Sequence, residues 1–543
     1  MSTRQERVIF IVLLFTLISL SFGETGDVLK RLSAPYDCAT GLAYDGKNIW
    51  IVDRKSDKIY KIDPDDGKVI KSFPSPGYFS TGLAWDGKHL WVSDMDFTNS
   101  ATESYSGKIY EVCPESGRTL NVIMAPTSDP QGLAWDGKYL WVSDNIGDRI
   151  YKISPEDGTT IVSFCSPSSD PRGLAWDGEY LWIADRSKDE IYRMHPEKGV
   201  VVMIVPSPGP YPWGLAWKDG KLLSVDYQTD KIAELKIFDD VLFTRSRMRS
   251  AVIDFTNDII NFGPGTLKNL NIYIAEPEDR STQDILSISY PTKPTKFLTD
   301  KWGQRVALFK FKDLSPSDRC TPVMSVRANI YDVMYHIFPE RVGSLEDIPE
   351  EIKERYLQDG MKYLIHHPTI VNAVKEAVGN EKNPYWIARD IFDYLRNHMY
   401  YERSGGWNIA PTVLERGSGS CSEYTFVYIA MCRAAGLPAR YVGSVVVRGE
   451  DASFDFVYHR WVEVYLPGYE WIPVDPSGGD KQWPRDQAMF FGHLSNRFLI
   501  TTQGGGGSEY LSWDYNSYER WQADGPVQLR IEKIAEWNPL IKN

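Results

Sequence analysis

Long apolar runs are scarce in this 543-residue chain. The clearest is Val8 to Leu20, close to the first residue. No later stretch is apolar enough to span a hydrocarbon core of about 30 Å, so no later transmembrane helix is expected. Positive charge is also short: 60 Lys and Arg stand against 73 Asp and Glu, a net charge of −13. With no block of Lys or Arg to offset phosphate repulsion, binding to nucleic acid or to anionic lipid is excluded. Cysteine is sparse. Cys38, Cys113, Cys165, Cys320, Cys421 and Cys432 are widely scattered, which excludes a disulfide framework and any paired metal-ligand spacing. They leave room for one or two bridges. No segment is polar enough to be disordered. What remains is a folded chain too long for one core, so several domains are expected.

The opening segment reads as an address. Arg4 and Arg7 precede the apolar run, and Ser21 and Gly23 supply small residues for cleavage after Gly23. Residues 1–23 are therefore expected to be a signal peptide. The chain is then secreted or extracytoplasmic, with no stable membrane span after cleavage. The alternative is an uncleaved anchor. No cysteine follows closely enough for a lipid-anchored start.

Five times the chain returns to one phrase: "GLAYDGKNIWIVD", "GLAWDGKHLWVSD", "GLAWDGKYLWVSD", "GLAWDGEYLWIAD" and "GLAWKDGKLLSVD". The copies begin at Gly41, Gly82, Gly132, Gly173 and Gly214. The usual interval of about 41 residues suits one four-stranded propeller blade. "DFTNSATESYSG" lengthens the second interval as a loop insertion. Within a unit, Asp-Gly marks a hairpin turn and the flanking runs alternate as strands. The fifth unit stops after its third strand, and "DVLKRLSAP" upstream of the first resembles a missing fourth strand. The N-terminal strand is expected to close a five-bladed ring over residues 24–240, leaving no open edge. Asp53, Asp94, Asp144, Asp185 and Asp226 end strands, where a carboxylate caps the following turn; this is preferred to a metal ring. The repeated Trp residues read as packing between blades before ligand stacking. This half resembles propellers of the NHL or YVTN type, which share architecture and not function.

Residues 241–335 carry strand-like alternation and turn punctuation, for which a β-sandwich is expected. Met324, Val326, Ala328 and Ile330 fall on one face. Helical patterns follow. In "NPYWIARDIFDYLRNHMYY", Asn383 is placed as cap and Pro384 at the first helical position, with Ile387, Ile391 and Leu395 as the apolar face.

The chemistry concentrates in "GSGSCSEYTFVYIAMCRAAGLPARYV". Cys421 opens a helix expected to run to Ala435, ended by Gly436 and Pro438. The small residues before it clear an approach to its sulfur. A helix N-terminus favours thiolate, the attacking form. Cys432 lies eleven residues on, about 16 Å along the axis, outside that field; it reads as core. Downstream, His459 sits in a strand with Trp461 and Glu463 on its face, Pro467-Gly468 turns the chain, and the return strand ends at Asp475. The hairpin brings Asp475 near His459, a few residues out of register, so a bulge or a longer turn is expected. "GGGGS" from Gly504 lacks the Lys and Ser/Thr of a phosphate cradle and reads as a flexible hairpin loop.

These motifs resemble the transglutaminase-like core shared by transglutaminases, related cysteine proteases and peptide N-glycanases. The carrying residues are Gly419 and Cys421, Arg433 through Arg440, His459, Trp461 and Glu463, and Asp475-Pro476. The resemblance implies an α+β papain-like core over 336–500, extended by β-rich residues 501–543. It implies Cys421 as nucleophile, His459 as general base and acid, and Asp475 as the residue orienting that histidine. It further implies an oxyanion donor, the Cys421 N–H with an upstream side chain, for which Trp407 is a candidate.

The function expected is an exported, cysteine-dependent acyl-transfer enzyme acting on peptide or side-chain amides through a thioester. Hydrolysis (protease or amidase) is favoured over transglutamination, since water is always present and nothing marks an amine site. The substrate is a protein or peptide, and the propeller positions a protein or glycan partner. No cofactor or metal is implied; no calcium ligand set is identifiable. The alternative is a catalytically inactive extracellular binding or scaffold protein.

Overall fold

The computed structural model describes residues 24–95, 107–238, 240–403 and 406–540. The leader segment, and residues 96–106 of the insertion, lie outside them. No helix among the described residues is long and apolar enough to cross a membrane.

Five four-stranded antiparallel sheets come first. Four are built from consecutive strands. The fifth takes Pro212–Lys218, Lys221–Asp226 and Lys231–Lys236 and completes itself with Val28–Ser33, paired antiparallel to the last of these. The ring is thus closed by the N-terminal strand, as the sequence predicts. Its inner strands crowd the axis, and each repeat-initial glycine makes that possible. A Cβ on Gly41, Gly82, Gly132, Gly173 or Gly214 would run into the backbone of the next blade, round to Gly214 against Thr40.

Each set of repeated polar residues does the same local work in four of the blades. Asp53, Asp144, Asp185 and Asp226 each accept hydrogen bonds from the turn that follows them. The Asp-Gly aspartates bind the indole N–H five residues on: Asp45 to Trp50 at 2.8 Å, Asp86 to Trp91 at 2.9 Å, Asp136 to Trp141 at 3.0 Å and Asp177 to Trp182 at 2.9 Å. These four indoles are buried between blades. In three blades a cation completes the set: Lys61, Lys152 and Arg193. The second blade has Glu111 there instead, and His89 Nδ1 lies 2.6 Å from it.

The middle region is one nine-stranded sheet. Its spine is the long strand Phe243–Ala275, whose first half pairs with Val323–Tyr335 and whose second half pairs with Arg305–Leu314. Both halves bury side chains in a single cluster, so the sheet folds over its own core. Met324, Val326, Ala328 and Ile330 are all fully buried in it. The C-terminal strand Ser517–Pro539, expected as an extension of the catalytic core, pairs along both halves of this spine. Its alternating exposure gives the sequence no sign of that distant partner.

The remaining part is a small helical core against a four-stranded sheet ordered Glu470–Val474, His459–Leu466, Ala439–Val446, Phe498–Gly504. The helix Pro384–His398 begins with Asn383 accepting from Tyr385 N, as expected, and buries Ile387, Ile391 and Leu395. The glycine run is not a flexible loop. Gly504, Gly505 and Gly506 are buried, and a Cβ on Gly505 would strike the Trp302 ring. Aromatic side chains 200 residues away explain the small residues.

The fourth blade packs on this core. Arg485 makes paired contacts to Glu190 at 2.7 and 2.8 Å, Arg193 reaches Glu340 at 2.9 Å, and the His195 ring meets Trp386 at 4.9 Å.

Candidate active site

Cys421 is the first residue of a helix that runs to Ala434, one residue short of the expected end. Gly436 follows with φ 82°, a conformation that favours glycine. The helix start is tied down by Glu423, which is fully buried and was not anticipated. Its carboxylate accepts from Ser420 N at 3.2 Å, from Asn408 Nδ2 at 2.9 Å and from Arg416 Nη2 at 2.8 Å. The signal was present: Ser420-x-x-Glu423 has the spacing of a capping box. On the other side, Tyr400–Tyr401 pairs in parallel with Ser418–Gly419 and fixes the approach to the cysteine.

His459 opens the strand that packs on this helix. Its Nε2 lies 2.7 Å from Asp475 Oδ2. The other Asp475 oxygen accepts from Ser477 Oγ at 2.7 Å and from the Ser477 and Gly478 amides at 3.1 Å. The hairpin that joins the two has no bulge. Val462 faces Val474 and Leu466 faces Glu470 across a three-residue turn. Continuing that register sets Asp475 opposite Trp461, two residues from His459 on the same face. The pair is diagonal, a separation that long side chains bridge. The expected bulge is unnecessary.

With Nε2 taken by Asp475, Nδ1 is the nitrogen left for the sulfur. Burial alone would raise the thiol pKa, but the hydrogen bond and charge of His459, with the Arg460 backbone N–H, bring it below the ordinary thiol value. Burial would lower the imidazole; the Asp475 charge and hydrogen bond, with the thiol, push it up to about 10. Burial would likewise raise Asp475, and the imidazolium holds it below the usual carboxylate range. Both shifts run in the direction that favours a thiolate beside an imidazolium, with a carboxylate on the far side of the ring. Cys432 on the same helix is a contrast. It is fully buried, and that burial drives its thiol pKa upward. All six cysteines are free thiols.

Trp407, the candidate oxyanion donor, packs against Phe426 at 6.1 Å and Tyr515 at 6.2 Å. Behind it lies Arg460, fully buried and boxed by the rings of Trp407, Phe426, Tyr441 and Tyr515. Its Nη2 donates to the Trp513 carbonyl, while Nε and Nη1 have no hydrogen-bond partner. Among the described residues, the group with metal-ligand spacing is Asp86, His89 and Glu111, far along the chain in the second blade. There the histidine occupies the neighbourhood where other blades place a lysine or arginine.

Residues 372–476 match the transglutaminase-like superfamily. An uncharacterized protein of Haemophilus influenzae is 27% identical over 162 residues, 24% of this chain and 44% of that one. The uncharacterized protein YebA of Bacillus subtilis is 23% identical over 142 residues, 24% of this chain and 18% of that one. The chain thus spans less than half the length of either relative. A provisionally assigned cysteine protease from Cytophaga hutchinsonii aligns over 55% of this chain and all of its own, with 14% identity and a TM-score of 0.39, too low to define the fold. The segment that carries Cys421, His459 and Asp475 is a transglutaminase-like domain.

Proposed function

We propose that the chain is a cysteine-dependent acyl-transfer enzyme acting on peptide or side-chain amides. The supporting observation is that Cys421, His459 and Asp475 converge, with the thiol acidified and the imidazole made basic by one another. The Cys421 thiolate attacks the amide carbonyl carbon and forms a C–S bond. The oxyanion is met by the Cys421 N–H at the helix start. The C–N bond then breaks, and the His459 imidazolium gives its proton to the leaving amine. A water attacks the thioester carbon, His459 takes one of its protons, the C–S bond breaks, and the carboxylic acid departs as the thiolate and imidazolium are restored. Hydrolysis is the favoured second half because water is always present to resolve the thioester. Asp475 holds the ring through both halves.

We further propose export, supported by the leader-like residues 1–23, and a propeller that positions a protein or glycan partner. Tyr44, Trp85, Trp135, Trp176 and Trp217 surround one mouth of its axis, where a cavity of ≈ 90 Å³ opens. The rival reading, an inactive scaffold, is favoured by one observation: Cys421 is only 8% exposed. One experiment separates them. Incubation with a peptide library, followed by mass spectrometry, should find an acyl group on Cys421 and none on Cys432. No adduct on either thiol, with peptides left intact, leaves the scaffold.

A further inference from the structure

Exposed apolar side chains gather on both flanks of the triad. The segment before His459 carries Phe454, Phe456 and Val457, with Phe456 63% exposed. The strand that leads to the cysteine presents Tyr400 and Tyr401, and Trp407 is 40% exposed. Scattered single apolar residues on a surface need no explanation, but a contiguous group beside a reactive site does.

Between these flanks lies a cleft of ≈ 320 Å³. Its walls are Trp407, Phe456, Tyr458 and Tyr515, and its far end holds Asp514 and Lys533. The Tyr515 ring stands 6.2 Å from that of Trp407 and 6.4 Å from that of Tyr458. The cleft neighbours the site through its walls: Tyr458 directly precedes His459 in the chain, and the Trp407 and Tyr515 rings enclose Arg460, the residue after His459. At the far end, Lys533 lies 3.6 Å from Asp514 and 3.1 Å from Glu519, while the Asn516 amide nitrogen in the same lining has no hydrogen-bond partner. The volume is at the lower end of the range for ligand pockets, about 300–1,000 Å³, which suits one large side chain.

The cleft is held in shape at a cost. Tyr458 has φ 61°, a left-handed conformation that a bulky residue rarely adopts. The surroundings enforce it. Fully buried Asp455 accepts from the Val457 and Tyr458 amides at 3.2 and 3.1 Å and from Val446 N at 2.8 Å, while Arg448 donates to the Tyr458 carbonyl at 3.1 Å. Strain of roughly 1–3 kcal/mol persists only where the surroundings over-determine it. Trp407 is fixed independently by its stack on Phe426 and Arg460. Two aromatic walls are thus set before any ligand arrives.

We propose that this cleft seats one bulky apolar side chain, aromatic by preference, of an extended peptide whose adjoining amide carbonyl meets Cys421. The inference rests on the acyl-transfer reading of that site. The substrate class is then a protein or peptide cut beside a large apolar residue, and small or acidic residues are disfavoured there.

The test measures binding without chemistry. Three blocked hexapeptides, identical except for Phe, Ala or Asp at one internal position, are titrated calorimetrically into the Cys421→Ala chain. The Phe peptide should bind at least tenfold more tightly than the Ala peptide, with the Asp peptide weakest. Adding Tyr458→Gly, which keeps the left-handed backbone without strain, should cut that ratio below threefold while circular dichroism shows the fold retained. Equal or undetectable affinity for all three peptides overturns the proposal, whether or not the native chain cleaves amides. An unchanged ratio in the folded Tyr458→Gly chain does so as well. Tight Phe-peptide binding by a native chain that never acylates Cys421 sinks the acyl-transfer reading and leaves the cleft.

Discussion

Asp475 reaches His459 diagonally, 2.7 Å from carboxylate to Nε2, across a hairpin whose direct partner for that position is Trp461. With Nε2 engaged, Nδ1 is the ring nitrogen left for the cysteine. An Asp475→Asn substitution keeps the shape, but its amide can steer the wrong ring tautomer toward the sulfur. Turnover should fall by roughly 10⁴-fold, as for an orienting aspartate in other triads. Amide hydrolysis by the variant, compared with wild type at equal folded concentration, checks this.

Thiol reactivity should separate the two cysteines of one helix. At pH 7 iodoacetamide should modify Cys421 at least 100-fold faster than Cys432, whose burial outweighs the Tyr428 hydrogen bond and the Arg433 charge and leaves its thiol pKa raised. His459→Asn should remove most of the advantage, because only the Arg460 backbone N–H then opposes the burial of Cys421. Peptide mapping after timed alkylation gives both rates.

The pair should also shape stability against pH. Between the ordinary histidine and cysteine values, about 6.5 and about 8.5, the unfolded chain keeps its proton on sulfur. In the folded chain the ring holds its proton to about pH 10 while the thiol is acidified, so the two groups change the proton count in opposite senses and partly cancel. Above that window the unfolded state holds neither proton while the folded state keeps the imidazolium until about pH 10, so stability falls. The acidified thiol acts in the other sense: the stability it contributes is lost as pH falls through its lowered value. In Cys421→Ala the cancellation is gone, while Asp475 still raises the ring. Stability should then decline from about pH 6.5 upward, by at most ~1.4 kcal/mol per pH unit. Urea unfolding across pH 5–10 reads the difference.

Glu423 should matter as much as any residue outside the triad. Glu423→Ala leaves Asn408 and the Ser420 amide without their acceptor beneath the cysteine. The expected cost is about 3 kcal/mol, discounted from a fully buried pair because Arg416 is part exposed. Glu423→Gln keeps much of the hydrogen bonding and should lose less. Thermal unfolding of both variants orders them.

Much of this was legible because the information was local or repeated. Five near-identical phrases gave five blades, and an incomplete last unit gave the closure. The spacing around Asn383 and Cys421 gave both helix starts. What stayed hidden depends on partners remote in sequence. Gly505 is small because of Trp302, and Arg460 is enclosed by rings drawn from Trp407 through Tyr515. The sequence leaves the hairpin register open between a bulge and a longer turn; the turn has three residues, and side-chain reach closes the remaining offset. The long final strand alternates like any exposed ribbon, and nothing in it names Phe243–Ala275 as its mate.

Val28–Ser33 is made first among the described strands, yet its hydrogen-bonding neighbour Lys231–Lys236 is made some two hundred residues later. On the ribosome that strand must wait, unpaired, while four blades assemble behind it. The circle is latched only once the fifth arrives, and a nascent chain stalled before Lys231 would carry an open seam at both ends.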